Sequence, residues 1–231
     1  MDIGIIGSGN IGSTLARRLS ALGHQVAIAN SRGPASLASI AAETGATAAS
    51  VEQAAGARDL VIVAIPQNAV PHLPLDVLRT ASAVVVDTGN YYPSRDGRIT
   101  EIDGGLTDSQ WVARLLGRPV VKAFNNIVAG SLATRGLPEG AAGRICLAVA
   151  GDDARAKAIV QDLIRSLGFD AVDSGTLADS WRQQPGTPAY CRDLDAEALR
   201  TALAEADAGR VASYRSKADE EAAPYFSKSK T

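Results

Sequence analysis

Asp2-Ile3-Gly4-Ile5-Ile6-Gly7-Ser8-Gly9-Asn10-Ile11-Gly12 opens the chain, and its reading decides the fold. A short apolar run rich in isoleucine enters a glycine turn spaced G-x-G-x-x-G. Behind it Ile11, Leu15, Leu19 and Leu22 recur at helical spacing. Asp2–Ile6 therefore reads as a buried strand and Ile11–Leu22 as a helix, with Arg17 and Arg18 toward solvent and Gly23 as its C-cap. Gly7 permits the tight turn, Gly9 lets the backbone approach a pyrophosphate, and Gly12 lets helix and strand pack closely. The helix N-terminus adds unpaired N–H groups and the positive end of its dipole. Gly7, Ser8, Gly9, Asn10, Ile11 and Gly12 are thus candidate contacts to a dinucleotide.

Outward from this unit the same alternation continues. Apolar runs at Gln25–Ala29, Leu60–Ile65, Ala83–Asp87, Val120–Phe124, Ile145–Ala150 and Ala171–Asp173 read as strands, with a weak one near Thr47–Ala48. Pro34–Thr44, Val51–Ala55 and Asp153–Leu167 read as helices between them. Strands that alternate with helices make a parallel sheet covered on both faces, so the expected class is α/β: a Rossmann-type doubly wound, mostly parallel sheet with a short C-terminal α-helical appendage. The boundary is expected near Gly175. Residues 1–175 form the nucleotide-binding domain, and 176–231 a loop and helix segment over the cleft. In that segment Trp181–Cys191 carries two prolines and reads as an ordered loop, a helix is expected from Asp195 to Tyr214, and Lys217–Thr231 reads as a polar tail, frayed or reaching a partner.

Composition narrows the function classes. Lys and Arg total 23 against 25 Asp and Glu, a net charge of −2. Nucleic acid is not the expected partner, because phosphate-backbone binding needs clustered positive charge. Two cysteines, Cys146 and Cys191, are too few for a disulfide scaffold and read as free thiols. His24 and His72 are the only histidines, without zinc-site spacing, so no metal is expected. No apolar run approaches the about 20 residues of a membrane span, and no secretory leader is visible, which predicts a cytoplasmic chain without a membrane partner.

The second strand selects the nucleotide. An NAD site places a carboxylate at its end for the ribose hydroxyls. Here the strand ends in Ala29-Asn30-Ser31-Arg32-Gly33. A carboxylate would repel a 2′-phosphate, whereas Ser31 can donate a hydrogen bond to it and Arg32 can pair with it and stack on adenine. Asn30, Ser31 and Arg32 thus point to NADP(H); the plain alternative for Arg32 is a surface arginine.

Gly7–Gly12, Asn30-Ser31-Arg32, Val63-Ala64-Ile65-Pro66, Asp87-Thr88-Gly89-Asn90 and Lys122-Ala123-Phe124-Asn125-Asn126 occur in this order. Over roughly the first 175 residues the chain resembles the coenzyme F420-dependent NADP oxidoreductases, and the related cytosolic NADPH-oxidising domain of the membrane ferric reductases called STEAP proteins. The resemblance implies that Ala64, Ile65 and Pro66 line the ribose and nicotinamide pocket. It also implies that Gly89, Asn90, Ala123, Phe124 and Asn125 lie near the carboxamide. Core packing is the alternative for Ile65 and Phe124, and a turn role for Asn90. Lys122, interrupting an apolar strand, reads as a snorkelling or carboxylate-paired lysine rather than a catalytic one.

The resemblance further implies hydride transfer between NADP(H) and a small-molecule acceptor, coenzyme F420, FMN or FAD. Such chemistry asks little of side chains because the cofactors carry the electronics. No Ser/His/Asp, Cys/His or paired-carboxylate arrangement is present, and no catalytic acid is named. Trp181, Arg182, Pro185 and Pro188 are candidates for the acceptor side, Trp181 by stacking and Arg182 by binding an acidic tail; an anchoring role for Trp181 is the alternative. Gly9-Asn10-Ile11-Gly12 also resembles pyrroline-carboxylate and imine reductases, although the C-terminal helix is short for their dimerisation domain. An electron feeder serving a metal reductase and a non-catalytic NADP(H) sensor are the other readings. A homodimer is the expected assembly, with intramolecular docking of the Ala202–Ala212 helix as its alternative.

Overall fold

Side chains of the first strand part to opposite sides of one sheet. Ile3 and Ile5 enter a core with Leu15, Leu19 and Ile28, while Ile6 enters a second core with Val61, Val63 and Val85. The period of two along a strand produces this division, and both faces are apolar because both are covered. The computed structural model describes residues 1–228, and the last residues of the Lys217–Thr231 segment lie outside that range.

Six strands form the sheet: β1 (Asp2–Ile6), β2 (Gln25–Ala29), β3 (Thr47–Ala48), β4 (Leu60–Val63), β5 (Val84–Asp87) and β6 (Val121–Lys122), in the order β3-β2-β1-β4-β5-β6 and all parallel. The strand order reverses between β1 and β4, so the ligand crevice of such a sheet falls outside their carboxyl ends. Helices α1 (Asn10–Ala21), α2 (Ala38–Thr44), α3 (Val51–Ala55), α4 (Leu75–Thr80), α5 (Pro93–Asp96), α6 (Thr100–Asp103), α7 (Asp108–Leu116) and α8 (Ala129–Thr134) connect and cover it. The α7 helix starts at a capping box, Thr107 with Gln110, and ends at a left-handed Gly117.

Several boundaries differ from the sequence reading. The expected helix at Pro34–Thr44 begins as a 3₁₀ turn, Pro34–Leu37, before α2. Strand β6 stops at Lys122 because Phe124 takes a left-handed backbone, φ 61°, which ends the ladder. Expected strands at Ile145–Ala150 and Ala171–Asp173 do not extend the main sheet. They form a separate parallel pair, β7 (Cys146–Val149) and β8 (Asp170–Asp173), tied to β6 through a single antiparallel bridge between Lys122 and Ala150. Helix α9 (Ala154–Ser166) covers one face of this pair through Val160, Leu163 and Ile164.

The C-terminal helix is two helices. After α10 (Ala196–Glu205) the chain turns at Ala206 and Asp207, and α11 (Val211–Lys228) continues through the segment read as a polar tail. It folds back across α5: Asp219 accepts hydrogen bonds from the Ser94 N–H at 3.0 Å and its hydroxyl at 2.7 Å, and Phe226 meets Tyr92 edge-on at 5.2 Å. Helix α10 buries Leu199, Ala202 and Leu203 on the other face of β7–β8. With its mostly small side chains this third core removes less apolar area from water than either main core, at roughly 25 cal/mol per Å².

Candidate functional site

The glycine turn is set by close approach. Gly7 has φ +119°, and a Cβ there would lie 2.1 Å from the Ala64 carbonyl oxygen; at Gly12 it would lie 1.9 Å from the Gly7 carbonyl oxygen. Gly9 is different: among the described residues, nothing lies within 4 Å of a Cβ built on it. Helix α1 begins at Gly9 with no side-chain cap and no acidic residue in its first turn. Its first N–H groups face the open side of the loop, a donor set suited to a pyrophosphate.

Asn30 works inside the loops. It is 8% exposed; its Nδ2 donates to Ser8 Oγ at 3.0 Å, and its Oδ1 accepts from the Arg32 N–H at 2.9 Å and from Ser36 Oγ at 3.1 Å. The carboxamide thereby fastens the end of β2 to the glycine turn. Ser31 and Arg32 are exposed beside it, and the Arg32 guanidinium makes no ion pair among the described residues. Ala64 and Ile65 are half-buried and Pro66 is exposed just past β4.

Past β5 and β6 the wall is polar and buried. Lys122, 0% exposed, pairs with Asp87 at 3.2 Å and donates to the Gly89 carbonyl. Asp87 also accepts from Ser109 Oγ at 2.6 Å and from the Gly89 N–H at 2.9 Å. Lys122 is thus a paired lysine that fixes the turn carrying Asn90. Phe124 places its ring in the core with Ile3 and Ile5, so the side chain does not line the crevice. Its left-handed backbone leaves Asn125 Nδ2 donating to Asn90 Oδ1 at 3.1 Å, while Asn90 Nδ2 donates to the Asn125 carbonyl at 3.3 Å. A non-glycine residue held this way costs about 1–3 kcal/mol, which the surrounding contacts must offset.

Three residues that sequence reasoning missed complete this wall. Gln183, 0% exposed, donates to Asn125 Oδ1 at 2.9 Å and to the Ala148 carbonyl at 3.1 Å, and its own carbonyl accepts from Asn125 Nδ2 at 2.7 Å. Tyr190 accepts from Asn90 Nδ2 at 3.3 Å and shares a 2.8 Å hydrogen bond with the Tyr92 hydroxyl. Burial pushes both hydroxyls above the ordinary phenol value, and it pushes the adjoining Cys191 thiol up to about 11. Gln183 closes a 3₁₀ helix, Leu177–Gln183, and the two tyrosines lie in irregular segments, so no periodicity marks them.

Trp181, Arg182 and Pro185, expected on the acceptor side, pack elsewhere. The Arg182 guanidinium lies 4.8 Å from the Trp181 ring centroid and donates to the Leu203 carbonyl in α10. Trp181 lines a crevice with Leu106, Val211 and Arg215, and Pro185 a small void with Asp108 and Arg215. They anchor the C-terminal helices, and Pro188 is half-buried in the turn before Tyr190. In the void, Asp108 Oδ1 and Gln184 Nε2 have no hydrogen-bond partner, and burial raises the Asp108 carboxyl above its ordinary value. No helix is long and apolar enough to cross a membrane among the described residues.

Comparison with known proteins places this geometry. Residues 2–91 match the family model of coenzyme F420-dependent NADP oxidoreductases. Protein SMa0349 from Sinorhizobium meliloti superposes with a TM-score of 0.70 at 37% identity, over 84% of this chain and 95% of that one. A protein from Arthrobacter sp. FB24, assigned as an F420-dependent NADP-reductase, superposes with a TM-score of 0.67 at 26% identity, over 78% of this chain and 87% of that one. Metalloreductase STEAP3 of Rattus norvegicus is 29% identical over 179 residues, 77% of this chain and 34% of that protein. The chain spans about half or less of the curated relatives it matches. A pyrroline-5-carboxylate reductase from Coxiella burnetii, at 18% identity and a TM-score of 0.55, shares the fold alone.

Proposed function

Because the chain belongs to the family of coenzyme F420-dependent NADP oxidoreductases, we propose that it reduces a flavin or deazaflavin acceptor (coenzyme F420, FMN or FAD) with NADPH. The observation that carries the reading is the open face at Gly9. It lies between two glycines that admit no side chain, above an uncapped helix N-terminus, with an unpaired Arg32 at the end of β2.

In this reading Gly7–Gly12 and the first turn of α1 hold the pyrophosphate, and Ser31 and Arg32 hold the 2′-phosphate. When bound, NADPH supplies a hydride to the acceptor. The chain's own residues orient and exclude water: Ile65 and Pro66 form one wall, and the interlocked carboxamides of Asn90 and Asn125 the other. Burial of Gln183 and Lys122 behind that wall keeps it rigid, and no side chain needs to act as an acid.

The test is nucleotide choice. Arg32→Ala should weaken NADPH binding by about ten- to a hundredfold, the scale of one charge-assisted hydrogen bond, and leave NADH binding nearly unchanged. Equal losses for both nucleotides in a fluorescence titration would remove the 2′-phosphate assignment. NADPH oxidation followed anaerobically with coenzyme F420, FMN or FAD then identifies the acceptor; tight NADPH binding with no acceptor reduced would favour a sensor.

A further inference from the structure

Two buried polar atoms in the second half of the chain lack a partner and line the same void. Asp108 is 1% exposed; its Oδ2 accepts from the Tyr91 N–H at 3.0 Å, and its Oδ1 has no hydrogen-bond partner among the described residues. Gln184 is 4% exposed, and its Nε2 likewise has none. The void between them measures about 10 Å³, the room of one water molecule or one hydroxyl group. It backs onto a larger crevice of about 330 Å³ between the turn after α6, the 3₁₀ segment Leu177–Gln183 and α11. Trp181, Gln184, Val211 and Arg215 line both. A buried polar group without a partner is destabilising, and here one group placed in the void would serve two of them.

We infer that void and crevice together form a binding site for a small neutral phenol, its hydroxyl in the void and its ring in the crevice. The hydroxyl follows from the pair it must meet. It can donate to Asp108 Oδ1 and at the same time accept from Gln184 Nε2. An ammonium has no lone pair to offer Gln184, and a carboxylate is too large for the void and of the same charge as Asp108. The ring follows from the walls of the crevice, where Leu106, Trp181, Val211 and Ala212 present apolar surface. Neutrality follows from the mouth. Arg215 lies over the Tyr91 ring at 5.2 Å and meets Asp103 at 3.5 Å, and Asp103 is also paired with Arg98 at 2.9 Å. The one carboxylate there is matched, and the Arg215 guanidinium has its counter-charge.

This site is separate from the nucleotide cradle: no residue of Gly7–Gly12, and neither Ser31 nor Arg32, lines the void or the crevice. Binding of a phenol here is therefore independent of which acceptor takes the hydride.

Phenol and toluene, which differ by a hydroxyl for a methyl, are the probes, titrated into the full chain and read by ligand-observed NMR. Toluene is the more apolar of the two, so an apolar cleft alone would favour it; a site that hydrogen-bonds the hydroxyl should instead bind phenol severalfold more tightly. Gln184→Leu removes the donor at a position whose Nε2 bonds nothing in the protein, and should reverse that order while the unfolding midpoint is retained. Ala212→Trp, which fills the crevice from an exposed position, should weaken phenol about tenfold or more and leave NADPH affinity unchanged. Toluene binding as tightly as phenol to the wild type overturns the hydroxyl assignment. Phenol binding indifferent to Ala212→Trp overturns the location. No saturable phenol binding at all means that water alone fills the void, and overturns the site.

Discussion

The two ends of the described chain are held together by different physics. From β1 to β5 the structure is local. Each strand pairs in parallel with a neighbour in an unbroken register, its side chains alternate between two apolar cores, and the loops at the site are shaped by backbone contact at glycines. From β6 onward the strands are short or separate, the third core is small, and the joints are side chains reaching far along the chain. Gln183 reaches Asn125 and Ala148, Tyr190 reaches Asn90, and Asp219 reaches Ser94. The first region offers the nucleotide a rigid cradle. The second builds the wall beside it from hydrogen bonds that each depend on their neighbours.

Lys122 stands where the two regimes meet, and removing it should have the largest effect. Its backbone bridges β6 to Ala150, and its ammonium, fully buried, neutralises Asp87 and holds the Gly89 carbonyl. Lys122→Met leaves a buried carboxylate without its counter-charge, an expected cost of about 3–5 kcal/mol in urea unfolding. Adding Asp87→Asn removes that charge and should recover part of the loss. A double variant no more stable than Lys122→Met alone would mean that the ion pair is not what couples the regions.

The local regime breaks through its backbone. Gly7→Ala puts a Cβ 2.1 Å from the Ala64 carbonyl oxygen in a residue at φ +119°. Strain and overpacking together should cost about 2–4 kcal/mol and abolish NADPH binding, read by unfolding and nucleotide titration. Gly9→Ala meets no protein atom, so its stability should hardly change while NADPH binding falls, because the added methyl occupies the open face. If both variants lost stability alike, the distinction between a packed and a ligand-facing glycine would fail.

The same division explains what the sequence made legible. Strands β1, β2, β4 and β5 announce themselves by apolar runs, and the glycine turn by spacing, because the forces that shape them act between residues close in sequence. The carboxamide wall does not. Asn125 and Gln183 are 58 residues apart, and nothing in either neighbourhood encodes their meeting. Resemblance brought Asn90 and Asn125 to the right edge of the sheet but could not supply Tyr190. Trp181 shows why a residue type alone does not decide: a large ring in a proline-rich loop satisfies stacking on a ligand and anchoring of a helix equally well, and here it stacks with Arg182, which bonds the Leu203 carbonyl of α10. Strand β7 is as buried and apolar as a strand of the main sheet, and the left-handed turn at Phe124, which separates the β7–β8 pair from β6, carries no sequence signature because a non-glycine residue occupies it.

The smallest expected effect sharpens the comparison in the second region. Asp108 accepts from the Tyr91 N–H at 3.0 Å through one oxygen, while the other has no partner and faces a small void with Gln184 and Arg215. Burial raises its carboxyl pKa, and the nearby Lys122 ammonium works against that rise without cancelling it. A carboxyl whose folded pKa lies above its unfolded one adds stability that is complete below the unfolded value and lost as pH climbs through the folded one. Asp108→Asn keeps an oxygen for Tyr91 and has nothing to titrate. Its unfolding free energy should therefore match or trail the wild type near pH 4 and lead it by about 1 kcal/mol, the scale of one unpaired buried group, near pH 8. A difference flat across that range would mean that water relaxes the void enough to keep Asp108 ionised, and that this joint, unlike Lys122–Asp87, carries no electrostatic strain.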